Sequence, residues 1–194
     1  EPVDSSHTEP WTVTLFSGCT VDVSRLEPED VTLEDVAHAL SLQCRFNGHC
    51  KRHYSVAQHS IYVADCVSRE TGDLRATLAA LLHDGSEAYI QDIVRGCKRQ
   101  MPAYIALEKS VQESVYERFG LSDHRRYAAV IKEWDNRVLK AEAIELINGK
   151  GDDWAAFGDI APAPITICEW TTKEAESAFI LKAKNIMEAI NQCN

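Results

Sequence analysis

The run Ala76-Thr77-Leu78-Ala79-Ala80-Leu81-Leu82 carries almost no polar side chain and ends at His83-Asp84. A helix that is apolar on every side belongs inside a protein, so the rest of the chain must wrap it. The imidazole and carboxylate at its end are then expensive to bury, because desolvating an unpaired charge costs several kcal/mol or more. A buried His–Asp hydrogen bond would compensate, and so would a divalent metal ion, for which both side chains are good ligands. The dipeptide alone leaves both open.

A chain of 194 residues can build one domain with a real core. Its 45% hydrophobic and 26% charged residues are ordinary globular composition. The net charge of −10 argues against long nucleic acid or an anionic membrane as partner, but leaves room for a small anionic substrate in a local basic pocket. No apolar run approaches the ~20 residues that span a bilayer. Seven cysteines form no small disulfide framework, and Cys66 falls in an apolar helical pattern as a reduced core thiol would. A cytoplasmic location is the expectation.

Residues 1–10 are expected to form a disordered tail, and residues 11–194 one mostly α-helical domain with a motif core over 32–147. Trp11 to Phe16 and Val21 to Val23 flank Ser17-Gly18 as a short β-hairpin would. Thr32 is a natural N-cap for a helix through Val36, Ala37, Leu40 and Leu42. A second helix carries Val56, His59, Tyr62, Val63 and Cys66 and ends near Thr71-Gly72; the third starts around Asp73. A basic loop is expected from about Gln91 to Pro102. Helices follow over Ala103 to Phe119, with Gly120 as its stop, and over about Arg125 to Ile147. Residues 148–152 read as a loop, and a final amphipathic helix spans 172–191.

Two more polar groups sit on apolar faces. His59 shares its face with Val56, Tyr62, Val63 and Cys66, and Asp135 lies in the stripe Ile131, Trp134, Val138 and Leu139. Singly, His59 reads as a satisfied core histidine and Asp135 as the partner of an arginine such as Arg137. Together with His83 and Asp84, they make a mixed nitrogen and oxygen ligand set for one divalent cation.

The spacing of Val56-Ala57-Gln58-His59-Ser60, Leu82-His83-Asp84-Gly85-Ser86-Glu87 and Trp134-Asp135-Asn136 resembles the H…HD…D pattern of HD-domain metal-dependent phosphohydrolases. The similarity is closest to the small bacterial and phage branch of HD-type 5′-deoxynucleotidases and deoxynucleoside triphosphohydrolases. It extends over about Thr12 to Ile147, with Ser86-Glu87, Gln91-Asp92 and Arg45 at the family's spacing.

The resemblance implies an HD-domain helical bundle in which His59, His83, Asp84 and Asp135 hold one transition metal (Mn, Co, Fe or Zn). It assigns acid/base catalysis to Glu87 and Asp92, with Glu87 returning to the ligand face if the helix continues past Asp84. Arg45 becomes the phosphate contact and Phe46 borders the sugar, where some members carry Trp. Lys98 is a secondary phosphate candidate. The implied activity is hydrolysis at the α-phosphorus of small nucleotides, with 2′-deoxynucleotides as mono- or triphosphates the implied substrates. Lys51, Arg52, Lys98 and Arg99 together lean toward a longer phosphate chain. A homo-oligomer is the expected state. The competing readings are an inactive metal- or nucleotide-binding helical module, a (p)ppGpp hydrolase, and a zinc cluster of Cys44, His49, Cys50 and His53, whose spacing is unusual for structural zinc.

Overall fold

Residues 10–148 and 158–193 are described by a computed structural model, in which helices predominate and two short strands form a single hairpin. The tail expected over 1–10 and the loop expected at 148–152 fall, but for residues 10 and 148, outside them. Strands β1 (Thr12–Thr14) and β2 (Thr20–Asp22) pair antiparallel, with Val13 opposite Val21.

The early helices begin and end where their local signals lie. Thr32 caps α1 (Leu33–Leu42) by accepting from the Asp35 amide. Ser55 does the same for α2 (Val56–Thr71) at Gln58, and α2 stops at Gly72 in the left-handed region. Asp73 caps α3 (Leu74–Leu81) through two amides. All of Ala76 to Leu82 is essentially inaccessible, and α3 packs against α2 and two later helices, over Ala128–Leu146 and Thr172–Gln192.

Three short elements depart from the sequence reading. The basic loop contains a helical turn, α5 (Arg95–Lys98), held by amides of Lys98 and Cys97 bonding back to the Val94 carbonyl. Before it lies α4 (Glu87–Ile90), and the helix expected from Arg125 divides into a 3-10 turn over His124–Tyr127 followed by α7 (Ala128–Leu146). The remaining helices are α6 (Pro102–Arg118) and α8 (Thr172–Gln192), which opens on a Thr171–Glu174 capping box. One buried cluster runs from Leu15 of the hairpin through α1, α2 and α3 to Ile186 of α8. Among the described residues no helix is long and apolar enough to cross a membrane.

Candidate metal centre

Three elements bring the out-of-place side chains together. His59 lies in the second turn of α2 on its buried face and is wholly inaccessible. His83 and Asp84 follow the end of α3, and Asp135 lies on α7. His59 Nε2 is 3.2 Å from Asp135 Oδ1 and 3.7 Å from Asp84 Oδ2. His83 Nε2 is 3.3 Å from Asp84 Oδ1 and 3.9 Å from Asp135 Oδ1.

Both Nε2 atoms are buried and neither makes a hydrogen bond of acceptable geometry, despite the nearby carboxylates. Buried ring nitrogens without a partner are rare and ask for a ligand. Their opposite nitrogens are occupied: His83 Nδ1 bonds the Ala80 carbonyl at 2.8 Å, and His59 Nδ1 meets Glu142 Oε1 at 2.6 Å. That arrangement suits metal-ligating imidazoles, whose second nitrogen is held by a carbonyl or carboxylate. Among the described residues, His59, His83 and Asp84 offer ligand atoms that all lie within 4.8 Å of one another, a group that does not include Asp135. The donor set therefore fits a divalent ion.

The alternative pairing of Asp135 with Arg137 is not what forms. Arg137 lies over the Trp134 ring and reaches Glu133, while Asp135 Oδ2 takes the Lys132 ammonium at 2.7 Å. Burial works against ionisation of Asp135, but His59 and His83 outweigh it and hold its carboxyl well below the usual range.

Glu87 reaches the site by a route the sequence did not suggest. The helix does not continue past Asp84; its hydrogen bonding lapses at Leu82, where Gly85 and Ser86, weak helix formers, turn the chain. Gln112 of α6 braces this turn, accepting from the Ser86 amide at 2.9 Å and donating to the Leu82 carbonyl at 2.8 Å. The Glu87 amide bonds the Asp84 carbonyl at 3.0 Å and starts α4. Burial, then Asp84 and Asp92, push the largely buried Glu87 carboxyl well above its ordinary value.

Arg45 sits in a loop closed by the Cys44–Ser55 bridge and by its own amide bonding the Tyr54 carbonyl. Its Nη1 lies 3.8 Å from Asp84 Oδ2, and its Nε donates to Glu142 Oε2 at 3.0 Å. Burial opposes its charge, but Glu142, Asp84 and Asp135 keep its pKa above the ordinary arginine value. Phe46, under the Arg45 guanidinium at 5.6 Å, has a φ of 56°.

Other candidates are already engaged. Lys98 is held by Asp92 at 2.9 Å and Glu108 at 2.6 Å, so it is tied to two carboxylates rather than presented for phosphate. Lys51 donates to the Glu145 carbonyl, and Arg52 binds the Glu145 carboxylate and the Ile167 carbonyl. Cys44 and Cys50 thiols are 3.4 Å apart, but among the described residues the metal-competent cluster includes neither.

A cavity of about 300 Å³ opens on His83, Asp84 and Glu87, with Ile105, Lys109 and Gln112 on its far wall. A separate hollow of about 330 Å³ lies beside the hairpin; its one carboxylate, Asp35, is consumed by the Ser17 amide and the Thr32 hydroxyl.

Glu142, absent from the sequence-derived set, is the most connected group here. It is fully buried, and burial would raise its pKa, but Arg45 and then His59 hold it below the ordinary value. Its signal was available: Glu142 lies seven residues after Asp135, two helical turns along one apolar stripe.

Among known proteins, the chain is 36% identical over 152 residues to YfdR of Escherichia coli, covering 76% of this chain and 79% of that one. The chain belongs to the YfdR family. RCAP_rcc00048 of Rhodobacter capsulatus is 35% identical over 112 residues, 55% of this chain and 57% of that protein. Both relatives are described as uncharacterized proteins, so the YfdR family brings no activity with it. No family model matches.

Proposed function

We propose that the chain is an HD-type metal-dependent phosphohydrolase that cleaves 2′-deoxynucleoside 5′-monophosphates. The observation that carries the reading is the pair of buried Nε2 atoms on His59 and His83, which make no hydrogen bond and face the carboxylates of Asp84 and Asp135. His59, His83, Asp84 and Asp135 would hold one divalent ion, which when bound acidifies a water and draws charge from a phosphoryl group.

Charge balance supports it. With Glu87 protonated, the carboxylates of Asp84, Asp135 and Glu142 face buried Arg45 and the exposed, solvent-screened Lys132, which leaves the cluster net negative and suited to a cation. Without the ion, a proton on His59 supplies part of the missing charge, and that imidazole is pushed up to about 9. Nitrogen ligands favour Mn, Co, Fe or Zn over Mg.

Arg45 binds the phosphate oxygens beside Asp84, its guanidinium already oriented through Nε. Glu87 holds a proton for the departing 5′-oxygen, and Asp92 aligns the attacking water. The cavity beyond the ligands favours a short phosphate chain. Glu108 and Glu113 on its wall are engaged by Lys98 and by His124 and Arg125, while Lys51 and Arg52 are bound elsewhere, to Glu145. A triphosphate would find most of the nearby cations already committed to carboxylates.

The test is a panel of dNMPs, dNTPs, NTPs and ppGpp with added Mn²⁺ or Co²⁺, resolving phosphate from triphosphate. Phosphate release from dNMPs is expected. No turnover anywhere on the panel by metal-loaded protein would sink the reading, and triphosphate release would overturn its substrate.

A further inference from the structure

We propose that Glu142 is a positioning residue that sets both the metal-binding nitrogen of His59 and the phosphate-binding guanidinium of Arg45. The inference rests on the metal reading above. Oε1 of Glu142 accepts from His59 Nδ1 at 2.6 Å and from the Tyr54 hydroxyl at 2.8 Å; Oε2 accepts from Arg45 Nε at 3.0 Å. All three partners donate, and only an ionised carboxylate accepts on both oxygens.

The consequence for His59 is tautomeric. An acceptor at Nδ1 keeps a proton there, so Nε2, facing Asp84 and Asp135, is the nitrogen that gives up its proton to a metal. For Arg45 the consequence is rotational: fixing Nε aims Nη1 at Asp84 Oδ2, 3.8 Å away. One buried side chain thus ties the ligand on α2 to the arginine in the loop before it. Neither partner could be re-aimed without breaking a bond to the same group.

A carboxamide at position 142 has one acceptor oxygen, so it can serve the His59 and Tyr54 side or the Arg45 side, but not both. With its oxygen toward His59, its NH₂ faces the Arg45 N–H. Reversed, its NH₂ faces His59 Nδ1, favours the proton on Nε2, and closes that nitrogen to a metal.

The experiment compares wild type and Glu142→Gln for Zn²⁺ affinity, by competition with a chromophoric chelator, and for inorganic phosphate binding to the Zn²⁺-loaded protein. Zn²⁺ binding weakened by about 10–100-fold, with phosphate binding weakened as well, is the expected result. Wild-type affinity for both in Glu142→Gln would overturn the inference, whatever its melting temperature. Should the variant not fold, imidazole nitrogen NMR of Zn²⁺-loaded wild type decides: a proton on His59 Nδ1 supports the role, and one on Nε2 overturns it. Wild type that takes up no Zn²⁺ would overturn the metal reading itself and this inference with it, an outcome distinct from a Glu142→Gln protein that behaves as wild type.

Discussion

Gly85 packs its bare α-carbon against Val115 of α6: a β-carbon at position 85 would stand 2.8 Å from Val115 Cγ1 and 3.0 Å from the Leu82 carbonyl. Val115 is completely buried and has nowhere to retreat. The turn that presents His83, Asp84 and Glu87 therefore depends on a missing side chain. Gly85→Ala should destabilise the protein by about 1–3 kcal/mol, the usual penalty for overpacking. Urea denaturation measures it, and adding Val115→Ala, which removes the colliding methyl, should restore part of the loss. Equal stability of wild type and Gly85→Ala would show that the turn is looser than this contact implies.

Asp84 and Glu87 sit on the same turn but should separate on mutation. Asp84→Ala removes a ligand, so the protein should lose its metal. Glu87→Gln keeps the shape and removes the proton donor, so metal content should survive while turnover falls by about 10²–10⁴-fold. Metal analysis paired with phosphate release distinguishes the two. Hydrolysis at the wild-type rate by Glu87→Gln would remove Glu87 from the chemistry.

Metal binding should depend on pH in a direction set by His59. Burial and Arg45 oppose its charge, yet Glu142 and Asp135 outweigh them and push the imidazole up to about 9 in the metal-free protein. An incoming ion must displace that proton, so affinity is fully expressed above pH 9 and falls as the pH drops. The decline is about tenfold per unit for one displaced proton. Asp135, held well below the usual carboxylate range, adds no proton in this window. Calorimetry in buffers of different ionisation enthalpy should find about one proton released near neutral pH. No proton release and a pH-independent affinity would contradict this.

Gln91 stores strain between the two proposed acid/base residues. Its φ of 60° and ψ of 174° fall in a region nearly confined to glycine. The residue is held there by the α4 end bond to Glu87 and by the Tyr104 hydroxyl donating to its carbonyl. Strain of about 1–3 kcal/mol is partly offset by glycine's own entropy loss of about 0.5–1 kcal/mol. Gln91→Gly should therefore be as stable as wild type or up to about 2 kcal/mol more stable, while turnover drops as Asp92 loses its fixed approach. Thermal melts and initial rates measure the two effects, and a clear loss of stability would show that the strain is absent.

Where the chain announces its structure, it does so through short-range chemistry. Thr32, Asp73 and Gly72 act within one helical turn, so the bounds of α1, α2 and α3 follow from neighbouring residues. His59, His83, Asp84 and Asp135 were visible because each conflicts with the apolar face around it. Long-range pairing was not visible. Nothing near Lys98 says that Glu108 will hold it, and nothing near Arg45 says that a carboxylate 97 positions away will. The turn at Gly85 was likewise hidden, because the Val115 wall that it packs against comes from α6. Glu142 conflicts with its stripe as Asp135 does, but its partners Arg45, Tyr54 and His59 lie more than 80 positions away and no neighbour announces them.

The central claim is that His59, His83, Asp84 and Asp135 surround a single divalent ion. An anomalous difference map from crystals grown with Mn²⁺ tests it most directly. One strong peak is expected among His59 Nε2, His83 Nε2 and the carboxylates of Asp84 and Asp135. A map with no peak there, or with its peak at Cys44 and Cys50 instead, would contradict it.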